Sequence, residues 1–98
     1  MHICRKALQI LSEHEKAMKN LGPPLRVGNI DLDDRERNYV GSSKSELRIP
    51  ISGQLDGGFI EVRAQKQLPA DDFITSQVEL ELNKNNMKII IYDDGDWI

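Results

Sequence analysis

From Ile3 to Leu21 the apolar residues Ile3, Ala7, Leu8, Ile10, Leu11, Ala17, Met18 and Leu21 recur at spacings of three and four, with Arg5, Lys6, Glu13, Lys16 and Lys19 between them. This is the period of an amphipathic helix. Ser12 followed by Glu15 has the form of a capping box, so the segment reads either as one helix or as two in succession. A break at Ser12 is favoured, because serine is a weaker mid-helix residue than its Leu and Glu neighbours. Leu21-Gly22-Pro23-Pro24-Leu25 then ends the helical pattern. Gly22 can adopt the conformation that closes a helix, and two prolines remove donors and fix φ.

Beyond this hinge the period changes to two. Leu25 to Leu32 alternates as a half-buried strand, with Gly28 as a bulge. Residues 33–38 form a charged loop, Tyr39-Val40 a brief pairing segment, and Gly41-Ser42-Ser43 a turn. Glu46 to Ser52 places Leu47, Ile49 and Ile51 on one face, and Pro50, which lacks a ladder donor, argues for an edge or bulged position. Leu55-Asp56-Gly57-Gly58 is read as the hairpin turn, its glycines supplying positive φ. Phe59 to Ala64 returns with Ile60, Val62 and Ala64 inward. After a connection over 65–72, Ile74 to Leu82 is expected to turn Ile74, Val78, Leu80 and Leu82 inward. Asn83 to Asn86 turns the chain, and the apolar run in Met87 to Tyr92 predicts a strand covered on both faces.

Helix first and strands afterwards is the α+β order, an N-terminal amphipathic helix or helical pair packed on an antiparallel β-sheet meander. One domain is expected over 1–98, helical over 2–21, sheet over about 25–92 and an acidic tail over 93–98, since single cores use roughly 100 to 150 residues. The chain opens almost directly in a helix, as it would if it began just after another segment.

Charge and composition narrow the function classes. Thirteen basic against 16 acidic residues give a net charge of −3, with the basic side chains scattered, so nucleic acid is not an expected partner. The five aromatics, Phe59, Phe73, Tyr39, Tyr92 and Trp97, are not interleaved with arginine as base-stacking platforms would be. A lone Cys4 excludes an internal disulfide and a cysteine-rich zinc site. No apolar run approaches the roughly 20 residues of a membrane-spanning helix.

Reaction chemistry is sparse. His2 and His14 have no ligand partner at i+4, and they read as surface histidines rather than zinc ligands. Asp31 to Asp34 and Asp93 to Asp96 lack the spaced ligands of a calcium loop. Ser42, Ser43 and Ser45 have neither a nucleophile elbow nor a histidine base in the strands that follow. No catalytic residue, metal ligand or cofactor is expected. The candidate partner-binding residues are Arg48, Pro50 and Gln54, around a sheet edge expected to be open at Pro50, and Trp97 in the tail. Strand addition at that edge is the expected binding mode.

Three segments carry a family resemblance: Ala17-Met18-Lys19-Asn20-Leu21-Gly22-Pro23-Pro24-Leu25, Asp34-Arg35-Glu36, and Glu46-Leu47-Arg48-Ile49-Pro50-Ile51-Ser52-Gly53. In order and spacing they resemble the cytochrome c oxidase assembly factor 1 family of mitochondrial inner-membrane proteins, itself similar to the small subunit of the presequence translocase. The resemblance implies a helical pair on an antiparallel sheet, facing the intermembrane space, and a non-enzymatic role without a cofactor. It implies respiratory-chain subunits, or assembly intermediates of cytochrome c oxidase or complex I, as partners. Family members are typically held by an N-terminal membrane helix. This chain as given departs from that pattern, so membrane attachment is expected only through an anchor upstream of Met1 or through partner proteins. An import subunit, which would need a basic patch and against which the net acidic charge weighs, and a permanent accessory subunit are the alternatives.

Overall fold

The computed structural model describes residues 2–97, and at His2, Ile3, Cys4 and Asn85 the backbone alone; the roles weighed for the His2 and Cys4 side chains fall outside it. Two helices open the chain, α1 over His2–Glu13 and α2 over Glu15–Leu21. The break falls at His14 rather than Ser12. The Ser12 hydroxyl donates back to the Gln9 carbonyl inside α1, at 2.7 Å, whereas His14 Nδ1 accepts from the Ala17 N–H at 3.2 Å. A ring nitrogen thus caps α2 where a serine or aspartate oxygen is the usual acceptor. At its other end α2 closes on Gly22, with φ of 77° and its N–H returned to the Met18 carbonyl.

The described strands are β1 (Arg26–Val27), β2 (Tyr39–Val40), β3 (Lys44–Ser52), β4 (Gly57–Gln65), β5 (Ile74–Leu82) and β6 (Lys88–Asp93). They form one antiparallel sheet in the order β1-β3-β4-β5-β6, with β2 also pairing β3. The class is α+β, and β3 to β6 run as a meander.

The first predicted strand shrinks to two residues. Local carboxylates pull the rest into turns: Asp31 Oδ1 accepts from the Asp33 N–H and Asp34 Oδ1 from the Arg37 N–H, beside backbone turn bonds from the Asp34 and Asn38 amides to the Asp31 and Asp34 carbonyls. Such side-chain-to-backbone bonds compete directly with a ladder. Gly28 sits beyond the strand and gives its N–H to the Pro50 carbonyl at 2.9 Å.

The β3–β4 turn also lies earlier than expected. Gly57 and Gly58 already belong to β4, paired with Ser52 and Ile51, and neither has positive φ. Gly58 is required for a different reason, because a Cβ there would run into the Glu81 carbonyl of β5. The turn itself is Gly53 to Asp56, and it seats on the end of α2. Gln54 N–H donates to the Gly22 carbonyl at 2.7 Å, and the Leu55 and Asp56 amides donate to the Leu21 carbonyl at 2.9 and 3.3 Å. These are the carbonyls a helix leaves without partners.

Leu47, Ile49 and Ile51 of β3, Ile60, Val62 and Ala64 of β4, Val78, Leu80 and Leu82 of β5 and Ile89 of β6 are all buried, as are Ala7, Leu11, Ala17 and Leu21 of the helices. They make one contiguous cluster. Fully burying a Leu or Ile contributes about 1.5 to 3 kcal/mol each, so this cluster is the main source of stability.

Two expectations about faces are overturned. Ile74 is 68% exposed. Ala64 pairs with Thr75 while Arg63 pairs with Gln77, so Ser76 is an extra residue on β5; this bulge buries both Thr75 and Ser76 and flips the phase of Ile74. The second correction is β6, which is not central. It ends the strand order and leaves Ile90 54% exposed.

Candidate functional site

The sheet's second face carries the more polar half of the alternation in β3 to β5, and antiparallel register places several opposite charges directly across from one another. Arg48 lies opposite Glu61, Glu46 opposite Arg63, and Glu81 opposite Lys88. The Arg48 guanidinium joins two carboxylates, bonding Glu61 through Nη1 and Glu81 through Nη2, the latter at 3.1 Å. It also stacks 4.0 Å from the centroid of the Phe59 ring. Arg63 bonds Glu61 at 2.8 Å and Gln77 at 2.6 Å, with Glu46 at 3.5 Å. Lys88 completes the row at 3.8 Å from Glu81. Cross-strand pairs of this kind contribute roughly 0.2 to 1 kcal/mol each.

The charges act on one another's titration. The hydrogen bond from Arg48 holds the Glu81 carboxyl below the usual carboxylate range; burial opposes this, and the Arg48 and Lys88 charges reinforce it. Burial pushes the Tyr39 phenol up, with the Glu46 charge adding to the effect. At the end of β6 the Gly95 amide and the Gln77 side chain keep Asp93 low.

Pro50 lies on this face opposite Phe59, and the edge beside it is not open. β1 and β2 flank the two ends of β3. In the gap between them Asn38, which is 6% exposed, substitutes for a strand. Its Oδ1 accepts from the Arg48 N–H at 2.6 Å, while its Nδ2 donates to the Asp31 carbonyl at 2.9 Å. Pro50 has no N–H to leave unpaired, and its carbonyl is taken by Gly28. Strand addition at Pro50 is therefore blocked.

The four candidate residues do not converge. Arg48 and Pro50 share the outer face. Gln54 is exposed at the turn, lining a shallow depression of about 330 Å³ with Pro24, Arg26, Ser52 and Gly53. Trp97 lies against Lys44 at the opposite end of β3, with the Lys44 Nζ 5.1 Å from its ring centroid. The tail reaches that point because the Asp94 N–H donates to the Ser76 carbonyl and Gln65 Nε2 donates to the Asp96 carbonyl, both at 2.9 Å. Asn38, Glu61, Arg63 and Glu81 were not singled out from sequence. Once the β3–β4 register is set, the Arg48–Glu61 and Glu46–Arg63 pairs follow from it, and that alternation was the available signal.

A concavity of about 820 Å³ opens between the 66–72 loop and the tail and is lined by Lys66, Asp71, Asp72, Ile74, Asp94 and Asp96 among others. Among the described residues no group of three or more His, Cys, Asp or Glu is placed to hold a metal ion. No described helix is long and apolar enough to cross a membrane.

Fold and surface together define an α+β protein whose outer sheet face is locked by ion pairs and whose helical hairpin is clamped by a strand turn. The chain belongs to the cytochrome oxidase complex assembly protein 1 family, whose model matches residues 1–93. It is 34% identical over 96 residues to the human cytochrome c oxidase assembly factor 1 homolog, covering 94% of this chain and 64% of that protein. The chain therefore spans somewhat less than two thirds of the relative's length. No solved structure matches it.

Proposed function

We propose that this chain is a non-catalytic, protein-binding factor in the assembly of cytochrome c oxidase, with complex I as a second client class. The match to the assembly family across residues 1–93 carries this reading, and the human relative's name supports it. In this reading the chain forms one domain on the intermembrane-space side of the mitochondrial inner membrane, held there by an anchor or by partner proteins. The helical pair covers the apolar face of the sheet, which leaves the salt-bridged face toward clients. Arg48, Pro50, Gln54 and Trp97 are the proposed contact residues. Because the Pro50 edge is closed, clients meet side chains there rather than an added strand.

Crosslinking mass spectrometry on mitochondria expressing the full-length protein tests this. Crosslinks to oxidase or complex I subunits in subassemblies support the reading. Crosslinks only within mature complexes would make the chain a permanent subunit, and contacts confined to the import translocase would make it an import factor; either result overturns the proposal.

A further inference from the structure

We propose that β6 is a self-association edge, to which a second copy of this chain adds its own β6 antiparallel, joining two sheets into one. The two margins of the sheet are finished very differently. On the β3 side two short strands, the Asn38 amide and Pro50 occupy the ladder. On the other side β6 pairs β5 alone, and among the described residues no backbone hydrogen bond reaches its second side. An edge of this kind is a template for another strand.

The sequence of β6, Lys88-Ile89-Ile90-Ile91-Tyr92-Asp93, is complementary to itself only in the antiparallel sense. Pairing about a two-fold axis at its centre brings Lys88 of each copy opposite Asp93 of the other. Parallel pairing would set lysine near lysine and aspartate near aspartate, and like charges opposite each other oppose pairing. Between Lys88 and Asp93 the edge carries three isoleucines and a tyrosine. Ile90 is 54% exposed on the outer face, and Tyr92, 38% exposed, lines a cleft of about 450 Å³ with Phe73 and Ile74, rimmed by Arg5, Lys6, Gln9 and Thr75. A symmetric contact is also the commonest form of protein self-association.

Two features limit its strength. The register shift between Val78 and Glu79 makes Ile91 a bulge, which twists the edge, and Lys88 places a charge on it. Six paired residues also fall below the area of a standard interface, so the dimer is a weak one, dissociating on the order of 100 µM.

Sedimentation velocity on the chain, from well below to well above that concentration, together with amide exchange by NMR, tests this independently of the assembly role. A reversible monomer–dimer equilibrium is expected, with exchange at residues 88–93 slowing as dimer forms. Ile90→Lys, at an outward position that leaves the core intact, weakens the dimer at least about tenfold. Lys88→Glu weakens it as well, by setting a carboxylate against the partner copy's aspartate, and the loss shrinks in high salt. A monomer at every concentration overturns the proposal, as does a dimer whose protected amides lie elsewhere or one that resists both substitutions.

Discussion

The Leu21 carbonyl, the last of α2, accepts a hydrogen bond from the Leu55 amide at 2.9 Å, so the helical hairpin ends on the turn between β3 and β4. Two segments separated by some thirty residues become one structural unit. They are the Leu-Gly-Pro-Pro hinge and the Ser-Gly end of the proline-bearing strand, both of which carry the family resemblance.

Gly53→Ala tests this junction. A Cβ at Gly53 would collide with the carbonyl oxygens of Leu21 and Gly22, and a Cβ at Gly22 would lie 2.7 Å from Leu55 Cγ. Overpacking of this kind costs about 1 to 3 kcal/mol, and backbone carbonyls that cannot swing away place Gly53→Ala at the upper end. Urea unfolding of the variant should show a lowered midpoint at unchanged slope.

The His14 cap gives a second expectation. His14→Ala removes the acceptor for Ala17 N–H and should destabilise by about 1 kcal/mol, while His14→Asn, which supplies an oxygen acceptor, should recover most of it. Equal losses in both variants would mean that the imidazole ring contributes by packing rather than by capping.

Much of this was legible before any coordinates. The alternation in β3 and β4 named the inward residues correctly because both strands pair along their length. Ile74 misled, since a single extra residue at Ser76 reverses the face of everything beyond it and leaves no mark in the hydrophobic pattern. The run Ile89-Ile90-Ile91 looked like two-sided burial, yet strand position depends on neighbours that the run itself does not specify. The expected first strand was cut short to β1 by Asp31 and Asp34, whose turn bonds were visible as residue types but not as winners over the ladder. At the outer face Arg48 was picked out, whereas its partners Glu61 and Glu81 are defined only by register.

The bulge is checked by contrast. Ile74→Thr should change stability by less than about 0.5 kcal/mol, as exposed positions do, while Leu80→Ala, at a fully buried position of the same strand, should cost about 2 to 5 kcal/mol. A large loss at Ile74 would return it to the core and remove the bulge.

Arg48→Met keeps the stem over Phe59 and removes the guanidinium shared by Glu61 and Glu81. With an Arg48 side chain only 14% exposed, losing this shared donor should cost about 1 to 3 kcal/mol, even though Arg63 still bonds Glu61 and Lys88 still faces Glu81. Arg48→Lys should rescue little, because one ammonium does not reproduce the two-carboxylate fork.

The same pair sets an acid limb. Glu81 titrates lower in the folded chain than unfolded, so its contribution is complete above the unfolded carboxylate pKa and is lost as pH falls through the folded value. Stability should therefore decline on acidification across that window, and the decline should be shallower in Arg48→Met. Chemical denaturation at a series of acidic pH values, with the Glu81 side-chain carbon followed by NMR, measures both.

The proposed role of this chain is in the assembly of cytochrome c oxidase. It is tested most directly by deleting the full-length protein in its source cells and measuring assembled oxidase by native electrophoresis. Loss of the mature complex with build-up of early subassemblies, restored by re-expression, is expected. Unchanged oxidase levels in the deletion would contradict it.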